Sequence, residues 1–186
     1  MPPVDARTGA PPRFLIVIAA ATAIGLAVAV AVLGLSSPTG QPADTEPTGP
    51  RPLPLVPVPA PQALGQPCTE LLSAVPGELV SSGRSLARRE LAAPAPAATA
   101  GWGEGDPVVL RCGLDRPPEL VPTAQLRVVN GVQWLPVPGS GSATWFVVDR
   151  EVYVALTVPD SAGTGPLQQV SDTIAATLTP VAPRFE

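Results

Sequence analysis

Histidine and lysine are both absent from the 186 residues. Without histidine the chain has no Ser-His or Cys-His nucleophile pair, and it lacks the commonest zinc ligand. Without lysine it has no Ser-Lys dyad, no Schiff base and no phosphate-binding loop lysine. Any acid–base chemistry falls to carboxylates, the tyrosine or the backbone, which narrows an enzyme to something like glycoside hydrolysis. Cysteine is scarce as well: the two residues Cys68 and Cys112 form no C-x-x-C redox pair, and no EF-hand spacing occurs. No metal and no cofactor is therefore expected. All 11 basic residues are arginine, and from Ser36 onward 9 of them face 14 acidic residues, a balance of −5. That charge repels phosphate backbones, so nucleic acid is not an expected partner.

What the chain does have is one long apolar run. Phe14–Leu35, FLIVIAAATAIGLAVAVAVLGL, holds no charge, amide or proline. At 1.5 Å per residue it reaches about 33 Å, enough to cross a hydrocarbon core of about 30 Å. Arg7 and Arg13 precede it, whereas Asp44 and Glu46 follow it without a nearby basic residue. The positive-inside rule then keeps residues 1–13 in the cytoplasm and places the rest outside, as a single-pass protein of the cell membrane. A cleaved signal peptide is the competing reading, because Ala27-Val28-Ala29 and Ala29-Val30-Ala31 offer small-x-small motifs. Ala21, Gly25 and Ala29 would also let two such helices approach closely, but Ala19, Ala23, Ala27 and Ala31 do the same on another face. A signal on several faces selects none.

Residues 36–67 read as a disordered, proline-rich linker, with ten prolines in 32 positions. The run PRPLPLVPVPAP from Pro50 to Pro61 predicts an extended polyproline-II rod. It would hold the outer domain off the bilayer; docking into an aromatic-grooved partner is the alternative. The domain is expected over 68–180, with 181–186 as a short tail. Outside the cytoplasm, an even pair of cysteines predicts one disulfide between Cys68 and Cys112, against free thiols or an intermolecular bridge.

Within the domain, Thr69 is placed to cap a short helix over Glu70–Val75, ended by Pro76-Gly77. Leu79–Leu91 fits neither helical nor strand period, and Pro94–Ala100 reads as a loop. Val108–Cys112 predicts a strand. Asn130-Gly131 inside LRVVNGVQWL predicts a two-residue hairpin pairing Val129 with Val132, Val128 with Gln133, Arg127 with Trp134 and Leu126 with Leu135. A second hairpin is expected over Ala143–Pro159, turning near Asp149–Glu151, with Val152, Val154, Leu156 and Val158 toward the core. After the break at Gly163–Gly165, Pro166 opens a helix whose Leu167, Val170, Ile174 and Leu178 form one apolar stripe. The fold class is α+β: a small, mainly antiparallel sheet with hairpins and a C-terminal helix packed on it.

Four side chains stand out as a candidate binding surface. Trp102, between glycines, is either a buried anchor or an exposed platform for a sugar or partner. Arg111 alternates with Leu110 and Cys112, so it should point away from the disulfide's face, toward a carboxylate such as Asp106 or Asp115. Arg127 opposite Trp134 would stack its guanidinium on the indole or form a ligand platform. The carboxylate pairs Glu104/Asp106 and Asp149/Glu151 have the i, i+2 spacing of a hydrolase pair, but both fall at turns, where solvated carboxylates are commoner. No catalytic residue is assigned.

The sequence of Cys-x-x-Leu-Leu at Cys68, Ala-x-Trp-Gly at 100–103, Val-Val-Leu-Arg-Cys-Gly at 108–113, Asn-Gly-Val-x-Trp at 130–134 and Asp-Arg-x-Val-Tyr-Val at 149–154 resembles an actinobacterial family of exported, membrane-anchored proteins. The domain of that family has no assigned function. The resemblance spans about residues 66–180 and implies an envelope location and a Cys68–Cys112 pair; it supplies no activity. The leading expectation is a non-enzymatic module, anchored in the membrane, that binds another envelope protein or a cell-wall component. A carboxylate-dependent hydrolase of wall glycans is the alternative.

Overall fold

The computed structural model describes residues 51–185. The apolar run Phe14–Leu35, with residues 1–13 and the first part of the proline-rich stretch, lies outside them. Among the described residues no helix is long and apolar enough to cross a membrane. In chain order the elements are helix α1 (Gln66–Ala74), strands β1 (Glu78–Ser81), β2 (Arg84–Ala87), β3 (Thr99–Trp102), β4 (Val108–Leu114), β5 (Arg127–Val129), β6 (Val132–Pro138), β7 (Ser142–Val147) and β8 (Tyr153–Pro159), then helix α2 (Gly165–Thr177). Six strands form one antiparallel sheet in the order β3-β4-β8-β7-β6-β5, and β1-β2 is a separate hairpin. The fold is α+β, a mainly antiparallel sheet with two helices.

The hairpin at Asn130-Gly131 forms because both residues take positive φ, 46° and 76°, as a two-residue turn requires. Its register pairs Val129 with Val132, Val128 with Gln133 and Arg127 with Trp134, as the turn chemistry predicts. The fourth expected pair, Leu126 with Leu135, is not in the ladder, because β5 begins at Arg127; Leu126 packs against the cluster that includes Leu135. Leu79–Leu91, ambiguous in period, contains the β1-β2 hairpin, turned at Ser82 and Gly83 with φ of 49° and 76°. Strands of four residues are too short for a periodic signal, and Arg84 and Ser85 are exposed. Helix α1 starts four residues earlier than Thr69 predicts. Pro67 fits its first turn, where no amide donor is needed, and Thr69 instead bonds back to the Gly65 carbonyl at 3.2 Å.

The main core lies between one sheet face and the two helices. Val152, Val154, Leu156 and Val158 point into it, together with Leu71, Leu167, Val170 and Ile174. Two indoles close it. Trp102 is fully buried and donates Nε1–H to the Pro76 carbonyl at 2.8 Å; Trp134, also fully buried, donates to Ser171 Oγ of α2 at 3.0 Å. A buried tryptophan needs such a partner for its N–H. Cys68 of α1 is disulfide-bonded to Cys112 of β4, so the helix is tied covalently to an interior strand of the sheet.

The turn expected near Asp149–Glu151 is not solvated. Asp149 and Arg150 are both buried, with Asp149 Oδ2 2.9 Å from Arg150 Nη1. Asp149 Oδ2 also accepts the Gln133 amide at 3.0 Å, and Arg150 donates to the carbonyls of Asp149 and Gly131 at 3.0 and 3.2 Å. Glu151 accepts the Thr179 amide at 3.1 Å, and the Val181 amide bonds to the Asp149 carbonyl at 3.0 Å. The segment thus fastens the Asn130-Gly131 hairpin to the chain leaving α2.

Two outcomes follow from this packing. Replacing Cys68 and Cys112 together by alanine removes a cross-link of sequence separation 44. In the chain-entropy model it should lower stability by about 2–4 kcal/mol, measured by urea unfolding under non-reducing conditions. Asp149→Ala leaves Arg150 buried without its anion and should cost about 3–5 kcal/mol. Adding Arg150→Met should restore part of that loss; no recovery in the double variant would show that the pair contributes something other than charge compensation.

Candidate functional site

The sheet is apolar on both faces, and the face away from the helices shapes the site. Directly opposed residues of antiparallel strands share a face. Arg111 is opposite Ala155, Ala155 opposite Phe146, and Thr157 opposite Thr144, so all five lie on that second face. A β-bulge at Gly113, with φ of 84°, shifts the register so that Leu114 meets Tyr153 on the same side.

Irregular chain covers this face in place of a helix. Leu114, Leu120, Leu135, Val148, Tyr153 and Ala155 form a second buried cluster, joined by Ala60, Leu126 and Phe185. Residues 53–65, which composition places in an extended spacer, are hydrogen-bonded to the domain. Leu53 forms a parallel bridge with Leu91, its amide bonds to Glu90 O at 2.8 Å, and Gln62 N donates to Gly113 O at 3.0 Å. Gly113 makes the approach feasible: a Cβ there would overlap the backbone of Gln62 and Ala63. A free spacer would leave its apolar side chains in water, whereas here Ala60 packs against the second cluster, Ala63 is buried and Leu53 lies over Gly101 of β3.

The cover is incomplete. Between the proline segment at Val58–Pro59 and the turn at Pro117–Pro118 a groove of about 370 Å³ opens onto the sheet. Its floor is Arg111, Thr144, Phe146, Ala155 and Thr157. Thr144 and Thr157 satisfy each other through a 3.0 Å hydroxyl bond. Arg111 is half-buried, and Nη1 donates to the Val56 carbonyl at 3.0 Å. Burial lowers its pKa from the usual guanidinium value, because desolvation disfavours the charged form. Asp115 lines the same groove, yet neither it nor Asp106 pairs with Arg111; among the described residues Arg150 and Asp149 do form an ion pair. Arg116, at the rim, donates to the Leu120 carbonyl at 2.8 Å.

The structure separates the four side chains of the expected surface. Arg111 points away from the disulfide's face and into the groove. Trp102 is an anchor buried below the Arg88 guanidinium, whose centre is 5.9 Å from the ring centroid. Trp134 is sealed under α2, so Arg127, exposed on edge strand β5, does not stack on it; among the described residues, guanidiniums do lie over Trp102 (Arg88) and Tyr153 (Arg184). Opposition across strands places two residues on one face but does not say what lies above them, and here a helix does. The two carboxylate pairs sit in different settings. Asp149 is locked to Arg150 and Glu151 to Thr179 N. Glu104 and Asp106 are exposed on the rim of a separate cleft of about 630 Å³ below the β1-β2 hairpin. That cleft also holds Arg88 and Arg89, both engaged with backbone carbonyls. Among the described residues no three cysteine or acidic side chains gather as a metal ion requires.

The residues missed from sequence are the groove's walls, Val58-Pro59 and Pro117-Pro118. The signal for them was the apolar residues interleaved with proline, which read equally well as a spacer. No curated protein and no solved structure matches the chain. A family model described as a protein of unknown function matches residues 18–183, nearly the whole length, and this chain therefore belongs to the DUF3515 family.

Proposed function

We propose that this protein is a single-pass binding module of the bacterial cell envelope, with its N-terminus in the cytoplasm and its disulfide-bonded domain outside the membrane. The domain captures another component of the envelope in the groove on its helix-free face. Support for the topology comes from Phe14–Leu35, the arginines before it and a cysteine pair suited to an oxidising space. One observation carries the binding assignment: a half-buried arginine without a carboxylate partner lines a groove whose other walls include Val58, Leu114, Phe146, Ala155 and three prolines. Small-molecule and peptide sites have this form, an apolar concavity with few polar groups that fix orientation.

Topology and site are tested in the same cells. Protease added to intact cells should remove the domain, and thiol reagents should label Cys68 and Cys112 only after reduction. A photoreactive residue at Phe146 should crosslink to an envelope component, an adduct that Arg111→Gln abolishes, whereas the same probe at exposed Val128 should give none. Equal adducts from both positions, or a protected domain, would refute the assignment.

A further inference from the structure

We propose that the groove of Arg111 holds a carboxylate-headed amphiphile: an apolar hydrocarbon body lies along Phe146 and Pro117–Pro118, and its carboxylate sits on the Arg111 fork. This rests on the reading of the groove as the binding surface and names the chemistry of its occupant. Two sets of observations select that class.

The first is charge. A guanidinium carries five N–H donors in a planar fork that matches a carboxylate, and Arg111 spends Nη1 on the Val56 carbonyl. Its cost of burial is not offset by Asp115, although that carboxylate lines the same groove. The other cation of the groove, Arg116, is engaged at Leu120 O, and the two threonine hydroxyls satisfy each other. Each guanidinium thus keeps N–H donors for a ligand, and two arginines against one carboxylate, Asp115, leave the groove a net positive charge that calls for an anion.

The second is the shortage of backbone partners. Pro59, Pro117 and Pro118 have no N–H to offer. The floor belongs to β4, β8 and β7, each with a neighbour on both sides, so their ladder groups are already paired. A peptide laid in the groove would leave its own amides and carbonyls unmatched, a loss that extended peptides avoid by adding to a free sheet edge. A hydrocarbon chain has no such groups. At about 370 Å³ the groove is within the range of small-ligand sites, about 300–1,000 Å³.

The test uses the full-length chain in lipid nanodiscs and a diazirine-bearing decanoic acid at submicellar concentration, with labelled peptides mapped by mass spectrometry. Label should fall on the strands carrying Leu114, Phe146 and Ala155. Excess decanoate should compete it away, and decanol or decylamine should not. Arg111→Gln should lower labelling at least tenfold, and Arg111→Lys, which keeps the charge but loses the fork, should lower it measurably less; near-ultraviolet circular dichroism of each variant shows that the fold persists. Equal competition by decanol would overturn the carboxylate assignment while leaving the groove as the binding surface. Absence of groove label would overturn the amphiphile; if the Phe146 probe still yields its Arg111-dependent adduct in cells, the groove reading survives, and if it does not, both fall.

Discussion

The architecture depends on a sheet that must be covered twice. Strand β8 runs through its middle with Val154 and Leu156 on one side and Tyr153 and Ala155 on the other, all buried. An antiparallel sheet can leave one face to water, and this one does not. Helices α1 and α2 solve the first face, and the disulfide from Cys68 to Cys112 holds one of them there. No third helix exists among the described residues for the second face. Proline-rich chain and the C-terminal tail do that work, and because irregular chain follows its own prolines rather than the sheet, it leaves a gap.

Two arginines show how differently the domain treats buried charge. Arg150 is enclosed with Asp149, and between them they satisfy most of their polar atoms, Asp149 Oδ1 and Arg150 Nε excepted. Removing either partner strands the other, so the pair is a clamp and its chemistry is spent on structure. Arg111 is desolvated only in part, touches one carbonyl and faces open space. An incompletely paired cation costs stability, and such a cost persists where a ligand offsets it. The contrast separates a cation spent on structure from one that keeps donors open to the groove.

How much could be read from the chain follows from the range of each interaction. The Asn130-Gly131 register was legible because a two-residue turn fixes the pairing of its flanks, and α2 because Leu167, Val170 and Ile174 repeat at helical spacing. The four residues of β1 and of β2 carry too little pattern. Trp134 was assigned the right cross-strand partner and the wrong environment, since the layer above it comes from Ser171, 37 residues away. The groove was illegible for the same reason. Its walls, Pro59 and Pro117, and its floor, Thr144 and Thr157, meet only after the sheet has formed, and each alone reads as spacer, turn or strand.

Arg111 joins the covers on the two faces of the sheet. It is one residue from the disulfide, and its side chain reaches across to the Val56 carbonyl, so the strand tied to α1 is also the strand that grips the proline segment. Gly113, two residues on, admits the same segment at Gln62 and Ala63. The stretch Arg111-Cys112-Gly113 thus fixes cover on both faces of the sheet, with the cysteine facing the helices and the arginine and glycine facing the prolines. A change in the seating of residues 56–63 must alter the Arg111 guanidinium and the Val58–Pro59 wall together, because one hydrogen bond and one wall of the groove belong to that segment. The proposed occupant of the groove and the docked proline segment would share Arg111, so each would bias the other through that guanidinium.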